Sequence, residues 1–217
     1  MDSKDKNQQV KSLIYQGYVH LNDGEYRAAV FCYDKALELN EDNSRIWDNR
    51  GVALSKAGRY PDAVESFEIA LDLEPDNAKA WINMGVSLGA MGRFTEAINC
   101  FNQALEIDTE NDDAWNNKGT AFFNLSKYSE ALECFNKALE LNPENSKAWA
   151  GKGSVKRFLG DYKGAVKCLE KFIELNGMNP SPQVEEAWAM IFDLKMIIIN
   201  QDSQDLTKKR PTKFEIH

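Results

Sequence analysis

Four tryptophans, Trp47, Trp81, Trp115 and Trp149, stand 34 residues apart, and the segments leading to them are near-copies. Residues 29–47 read AVFCYDKALELNEDNSRIW and residues 63–81 read AVESFEIALDLEPDNAKAW. Residues 97–115 read AINCFNQALEIDTENDDAW and residues 131–149 read ALECFNKALELNPENSKAW. A fixed period of this length constrains the fold more than any composition can. A unit of 34 residues is too small to bury its own apolar stripe and must bury it against its neighbours. In register with the tryptophans, the units are 10–43, 44–77, 78–111, 112–145 and 146–179, which is 170 of the 217 residues.

The small residues of each unit describe two helices. Glycine recurs at Gly17, Gly51, Gly85, Gly119 and Gly153, and alanine twelve residues later at Ala29, Ala63, Ala97, Ala131 and Ala165. Glycine inside a helix costs about 1 kcal/mol relative to alanine, so five in register need a packing reason. Close approach of two helices, glycine facing alanine, is the expectation. An aromatic (Tyr33, Phe67, Phe101, Phe135) and a second alanine (Ala36, Ala70, Ala104, Ala138) follow at spacings of four and three, one helical stripe. Gly24, Gly58, Gly92 and Gly160 punctuate the middle of the units, where a left-handed cap is expected. Pro61 suits a first helical turn, and Asn43, Asn77, Asn111 and Asn145 are placed as N-caps of the next unit.

The pattern of Trp, Gly, a second Gly, Tyr or Phe, Ala, an aromatic, Ala and Pro at period 34 resembles the tetratricopeptide repeat (TPR) family. The resemblance implies an all-α fold: antiparallel helix pairs stacked as a right-handed α/α superhelix, a TPR solenoid, with a concave face lined by the first helix of each pair. Departures fall mainly at the edges. The first unit has Leu13 in the tryptophan's place, the fourth has Ser126 for the middle glycine, and the fifth has Leu169 and Phe172 for the aromatic and second alanine. After a Pro-Ser-Pro break, residues 184–200 read as an amphipathic helix capping the last pair. Residues 1–9 read as a polar lead and residues 201–217 as a polar and basic tail, mobile or loosely docked.

Several function classes are excluded or disfavoured. Net charge is −8, with 26 basic and 34 acidic residues, which argues against a nucleic-acid partner. No apolar run reaches the roughly 18 residues of a membrane span, and the start of the chain does not read as a secretory signal. A cytoplasmic protein is expected, with no membrane insertion. Cys32, Cys100, Cys134 and Cys168 occupy one place in successive units. Packed helices lie about 8–10 Å apart, beyond disulfide reach, so reduced, semi-buried thiols are expected. No CxxC, HExxH, P-loop or GxSxG is present, and the two histidines, His20 and His217, lack a partner pattern. No metal, no cofactor and no enzymatic activity are expected.

Candidate binding residues follow from the resemblance. Asn49, Asn83 and Asn117 stand at one place in the middle units, two residues before the recurrent glycine. In the family that place faces the groove. A carboxamide offers both a donor and an acceptor, matching a peptide's own NH and C=O. The ladder stops at Tyr15 and Gly151. Neighbouring groove places hold Arg45, Lys79 and Lys147 for charge, with Tyr18, Val52, Ile82, Val86, Asn116 and Phe123, while Asp48 and Asp113 break the basic character. The family's carboxylate clamp for chaperone tails is matched only in fragments, by Lys79 and Asn83. The expected function is a scaffold binding an extended or helical peptide of a protein partner in the groove. The alternatives are a self-assembling protein, with homo-oligomers through the C-terminal cap, and an adaptor for a separately encoded enzyme.

Overall fold

The computed structural model describes residues 3–177 and 181–208. Among them are eleven helices: α1 (Ser3–Asn22), α2 (Tyr26–Leu39), α3 (Ser44–Lys56), α4 (Tyr60–Leu73), α5 (Ala78–Ala90), α6 (Phe94–Ile107), α7 (Asp112–Asn124), α8 (Tyr128–Leu141), α9 (Ser146–Phe158), α10 (Tyr162–Asn176) and α11 (Pro182–Lys208). Each odd helix pairs with the next, and each even helix packs on the odd helix that follows it. Five pairs so stacked, closed by α11, form the right-handed solenoid.

Local chemistry accounts for the boundaries. Asn77, Asn111 and Asn145 each accept a hydrogen bond at Oδ1 from the backbone NH three residues on, at 2.9–3.1 Å, and Asn43 from that of Arg45 at 3.1 Å. The turn within each pair needs a left-handed residue. Gly24, Gly58, Gly92 and Gly160 supply it with φ of 76–80°, and in the fourth unit Ser126 is forced to φ 58°. The turn between pairs is closed by the tryptophan. The Nε1 of Trp47, Trp81, Trp115 and Trp149 donates to the carbonyl six residues earlier, at 2.8–3.1 Å.

The recurrent glycines face the aromatic of their own second helix, not the alanine. A Cβ built on Gly17, Gly51 or Gly85 would lie 2.6–2.7 Å from a ring carbon of Tyr33, Phe67 or Phe101. On Gly119 it would lie 3.0 Å from Phe135, and on Gly153 it would lie 3.1 Å from Leu169. The ring rests flat in the notch glycine leaves. The five alanines are fully buried one turn away in the same core. The cysteines are free and buried, and burial pushes the thiols of Cys100 and Cys134 up to about 11.

Two segments differ from the sequence expectation. The first helix begins at Ser3, inside the expected polar lead. The last runs on to Lys208 instead of ending near residue 200, because residues 200–208 contain neither proline nor glycine to stop it. Ser203 Oγ donates back to the Ile199 carbonyl at 2.8 Å, and Asp202 lies 3.7 Å from Lys163. The rest of the expected tail, 209–217, lies outside the described residues.

Candidate binding groove

The inner face is lined by the odd helices, and three consecutive segments of groove run along it. The first, about 620 Å³, lies between α1 and α3 and is walled by Ile14, Tyr15, Tyr18, Arg45 and Asn49, with Lys11 at its rim. The second, about 380 Å³, is formed by Val52, Ser55, Asn83 and Val86. The third, about 310 Å³, holds Val86, Gly89, Asn117, Thr120 and Asn124. Val86 and Ala90 belong to both the second and third, so these two are contiguous. One asparagine of the ladder stands in each segment.

The asparagines are half-buried and lightly held. Asn83 Nδ2 reaches Asp48 Oδ1 of the preceding unit at 3.5 Å. Asn117 Oδ1 faces Asn116 Nδ2 at the same distance. These are the long limit of a hydrogen bond, so both carboxamides can be drawn to a better partner at little cost. Asp48 itself is buried. Burial raises its pKa, against the opposing pull of the Asn83 hydrogen bond and the Lys79 charge.

Basic side chains run along one edge. Lys11, Arg45, Lys79 and Lys147 occupy the same place in their units, and all four are exposed. None of them makes an ion pair within the described residues. Lys11 was not among the residues the sequence pointed to, although its place in the first unit is the same. In a chain of net charge −8, this is a local cluster of positive charge, interrupted in the fourth unit by the exposed Asp113 at the same place and set beside the buried Asp48, on which Lys79 acts. An aromatic cluster lies at the ends of α7 and α9 and the start of α8. Phe123, Tyr128 and Phe158 cluster with ring centroids 5.2–5.7 Å apart, and the Arg157 guanidinium lies 5.1 Å from the Phe158 ring.

Not every expected groove residue lines the groove. Asn116 is 5% exposed, its Oδ1 without a hydrogen-bond partner, so it belongs to the wall between pairs. Ile82 is half-buried and packs against the core, a structural more than a contact position. Tyr18, Val86 and Phe123 remain accessible in part, Tyr18 and Val86 more so. The ladder stops at Gly151 for a visible reason: a Cβ there would run into the ring of Phe135.

A stack of helix pairs with groove segments along its odd helices defines an α-helical repeat scaffold. Models of the tetratricopeptide repeat match residues 16–78, 49–88, 78–111, 112–145 and 146–177. The chain belongs to the tetratricopeptide repeat family. Its repeats support a protein-interaction scaffold. No curated protein matches it. Among solved structures it is similar to PilF of Pseudomonas aeruginosa, at 20% identity and a TM-score of 0.76, over 96% of this chain and 95% of that one. It is similar to MamA (41 to the end) of Desulfovibrio magneticus RS-1, at 21% identity and a TM-score of 0.71, over 80% and 98%. It is also similar to YrrB, described as a TPR protein with an unusual peptide-binding site, at 22% identity and a TM-score of 0.65, over 85% and 95%. At these identities the likeness is one of fold. No helix among the described residues is long and apolar enough to cross a membrane.

Proposed function

We propose that this protein is a non-catalytic scaffold that holds an extended, acidic segment of a partner protein along its inner face. The observation that carries the reading is the placing of Asn49, Asn83 and Asn117, one in each of three successive groove segments. Carboxamides at repeat spacing can pair with a peptide's backbone while leaving its side chains free to vary. Lys11, Arg45 and Lys79 line the same edge and select negative charge. Tyr18 and Val86 supply apolar contact beside them, and Phe123 does so further along. The mode is recognition of main chain by polar groups with pockets for alternate side chains.

The test is fluorescence anisotropy with two labelled pools of random peptides, one biased to Asp and Glu and one to Lys and Arg. The wild-type protein is compared with Asn49→Ala/Asn83→Ala/Asn117→Ala, both matched in helical signal and melting midpoint. The expected result is binding of the acidic pool alone, weakened at least about tenfold in the triple variant and falling steeply with salt. Equal binding of the acidic pool by both proteins would remove the asparagines from the reading. Preference for the basic pool would reverse the charge assignment.

A further inference from the structure

The two ends of the stack are chemically unlike. Inside the stack, the third and tenth places of each first helix are buried: Ile46 and Ala53, Ala80 and Ser87, Ala114 and Ala121, Ala148 and Val155. In α1 the same places hold Ser12 and Val19, with Gln16 between them, and all three are exposed. The N-terminal end is therefore mixed: Ser12 and Gln16 are polar, while Val19 is 37% and Tyr15 68% exposed. The C-terminal end is not. Helix α11 packs on α10 through Val184, Ala187, Ile191 and Leu194. On a different face it carries Trp188, Phe192, Met196 and Ile199, a single stripe at spacings of four, four and three. These four are 53%, 66%, 45% and 56% exposed.

The repeat says what such a face is built to meet. Trp188 aligns with the recurrent tryptophans, and Phe192, four residues on, falls where the glycines of the five units sit. In those units this face is covered by the unit's own second helix. Here no second helix follows among the described residues. Phe192 also fills the notch that glycine leaves elsewhere, so a helix with its own bulky ridge fits better than one bearing the alanine stripe of a repeat.

We infer that this stripe is a self-association surface, joining two copies of the chain through α11 about a two-fold axis. A second copy offers the matching bulky stripe in its own α11. Head-to-tail stacking is disfavoured because the N-terminal end sets Ser12 and Gln16 among Tyr15 and Val19 and so offers no uninterrupted bulky stripe to match that of α11. A two-fold contact uses the same patch on both copies and closes on itself, so assembly stops at two. Each of the four side chains leaves roughly 100 Å² to be covered, which gives about 800 Å² over both copies before the flanks are counted. That is below the range of stable specific interfaces, so the dimer is a weak, transient one, reversible in the micromolar range. The inference is independent of the groove reading.

Sedimentation equilibrium of the full chain, from about 1 to about 200 μM, tests it. The expected result is one monomer–dimer equilibrium between 24.6 kDa and twice that mass. Phe192→Asp is expected to weaken it about 100-fold by placing a charge in the contact on both copies. Phe31→Asp on α2, an equally exposed aromatic outside the stripe, is expected to leave it unchanged. Ile199→Lys is the second variant should Phe192→Asp disturb the helical signal. A monomer at every concentration overturns the inference. So does growth beyond two copies, or a dimer that survives both stripe substitutions.

Discussion

Replacing Gly51 by alanine isolates the packing rule on which every repeat depends. A Cβ at Gly51 would sit 2.6 Å from one ring carbon of Phe67 and 2.8 Å from two more. Phe67 is fully buried, so the ring cannot swing into solvent and either the helices part or the ring leaves its rotamer. Overpacking of this kind costs typically 1–3 kcal/mol. Alanine returns about 1 kcal/mol through helix propensity, so the net expectation for Gly51→Ala is a loss of up to about 2 kcal/mol. The same change at Gly153 meets only Leu169 and Cys168 side chains, at 3.1–3.3 Å. A leucine can give by a few tenths of an ångström, and the propensity gain then leaves Gly153→Ala near zero or slightly stabilising. The assay is urea unfolding followed by far-ultraviolet circular dichroism, fitted with nearest-neighbour coupling because repeats need not unfold together. Phe67→Leu, which copies the arrangement at Gly153, should rescue Gly51→Ala with a favourable coupling of about 1 kcal/mol. Equal effects of alanine at Gly51 and Gly153, or no coupling with Phe67, would refute the notch-and-ring account.

Two further outcomes are expected. Ser126→Gly should raise stability by about 1 kcal/mol in the same unfolding assay, since a left-handed conformation costs an L-residue roughly 1–2 kcal/mol and the other four units already use glycine or an equivalent. Asp48→Asn should stabilise the protein at neutral pH and lose that advantage on acidification: the Asp48 pKa is raised in the fold, so the native state binds the proton more tightly and wild-type stability falls as pH rises through that pKa. Melting midpoints of both proteins followed from pH 7 down to about pH 4 check this; a constant gap would show that Asp48 does not change its charge differently in the folded state.

Much of the architecture was legible because the same signals repeat in register. The asparagine N-caps, the mid-unit glycines and the number of pairs are local properties that the chain states several times. Contacts between helices are not local. The spacing of Gly51 and Ala63 says that two helices approach, but not which residue of the second helix fills the notch, and the ring four residues beyond the alanine is the one that does. Nor does a pattern of polar residues show that each tryptophan indole reaches back to a carbonyl across the turn. The register that separates surface from joint was less legible. Asn117 and Asn116 are neighbours about 100° apart on a helix, and that angle separates a groove wall from a buried joint between pairs. Asp48, Ile82 and Asn116 share the joint register, and all three are buried or half-buried. Polarity alone does not mark the end of α11, because a polar segment without proline or glycine can continue a helix already begun.

The same packing that builds the repeats also limits the candidate site. Phe135 is the filler for Gly119 on one side, and on the other it lies against Gly151 of the next unit. A side chain at the fifth unit's ladder place would have to displace that ring. The asparagine ladder is therefore confined to α3, α5 and α7. Where it ends, Phe123, Tyr128 and Phe158 form a continuous aromatic surface, with Phe158 52% exposed. In the proposed binding mode, a ligand running past Asn117 would exchange main-chain pairing for apolar contact. An acidic segment followed by an apolar anchor meets both halves of that surface, and one that is acidic throughout leaves the aromatic half unused.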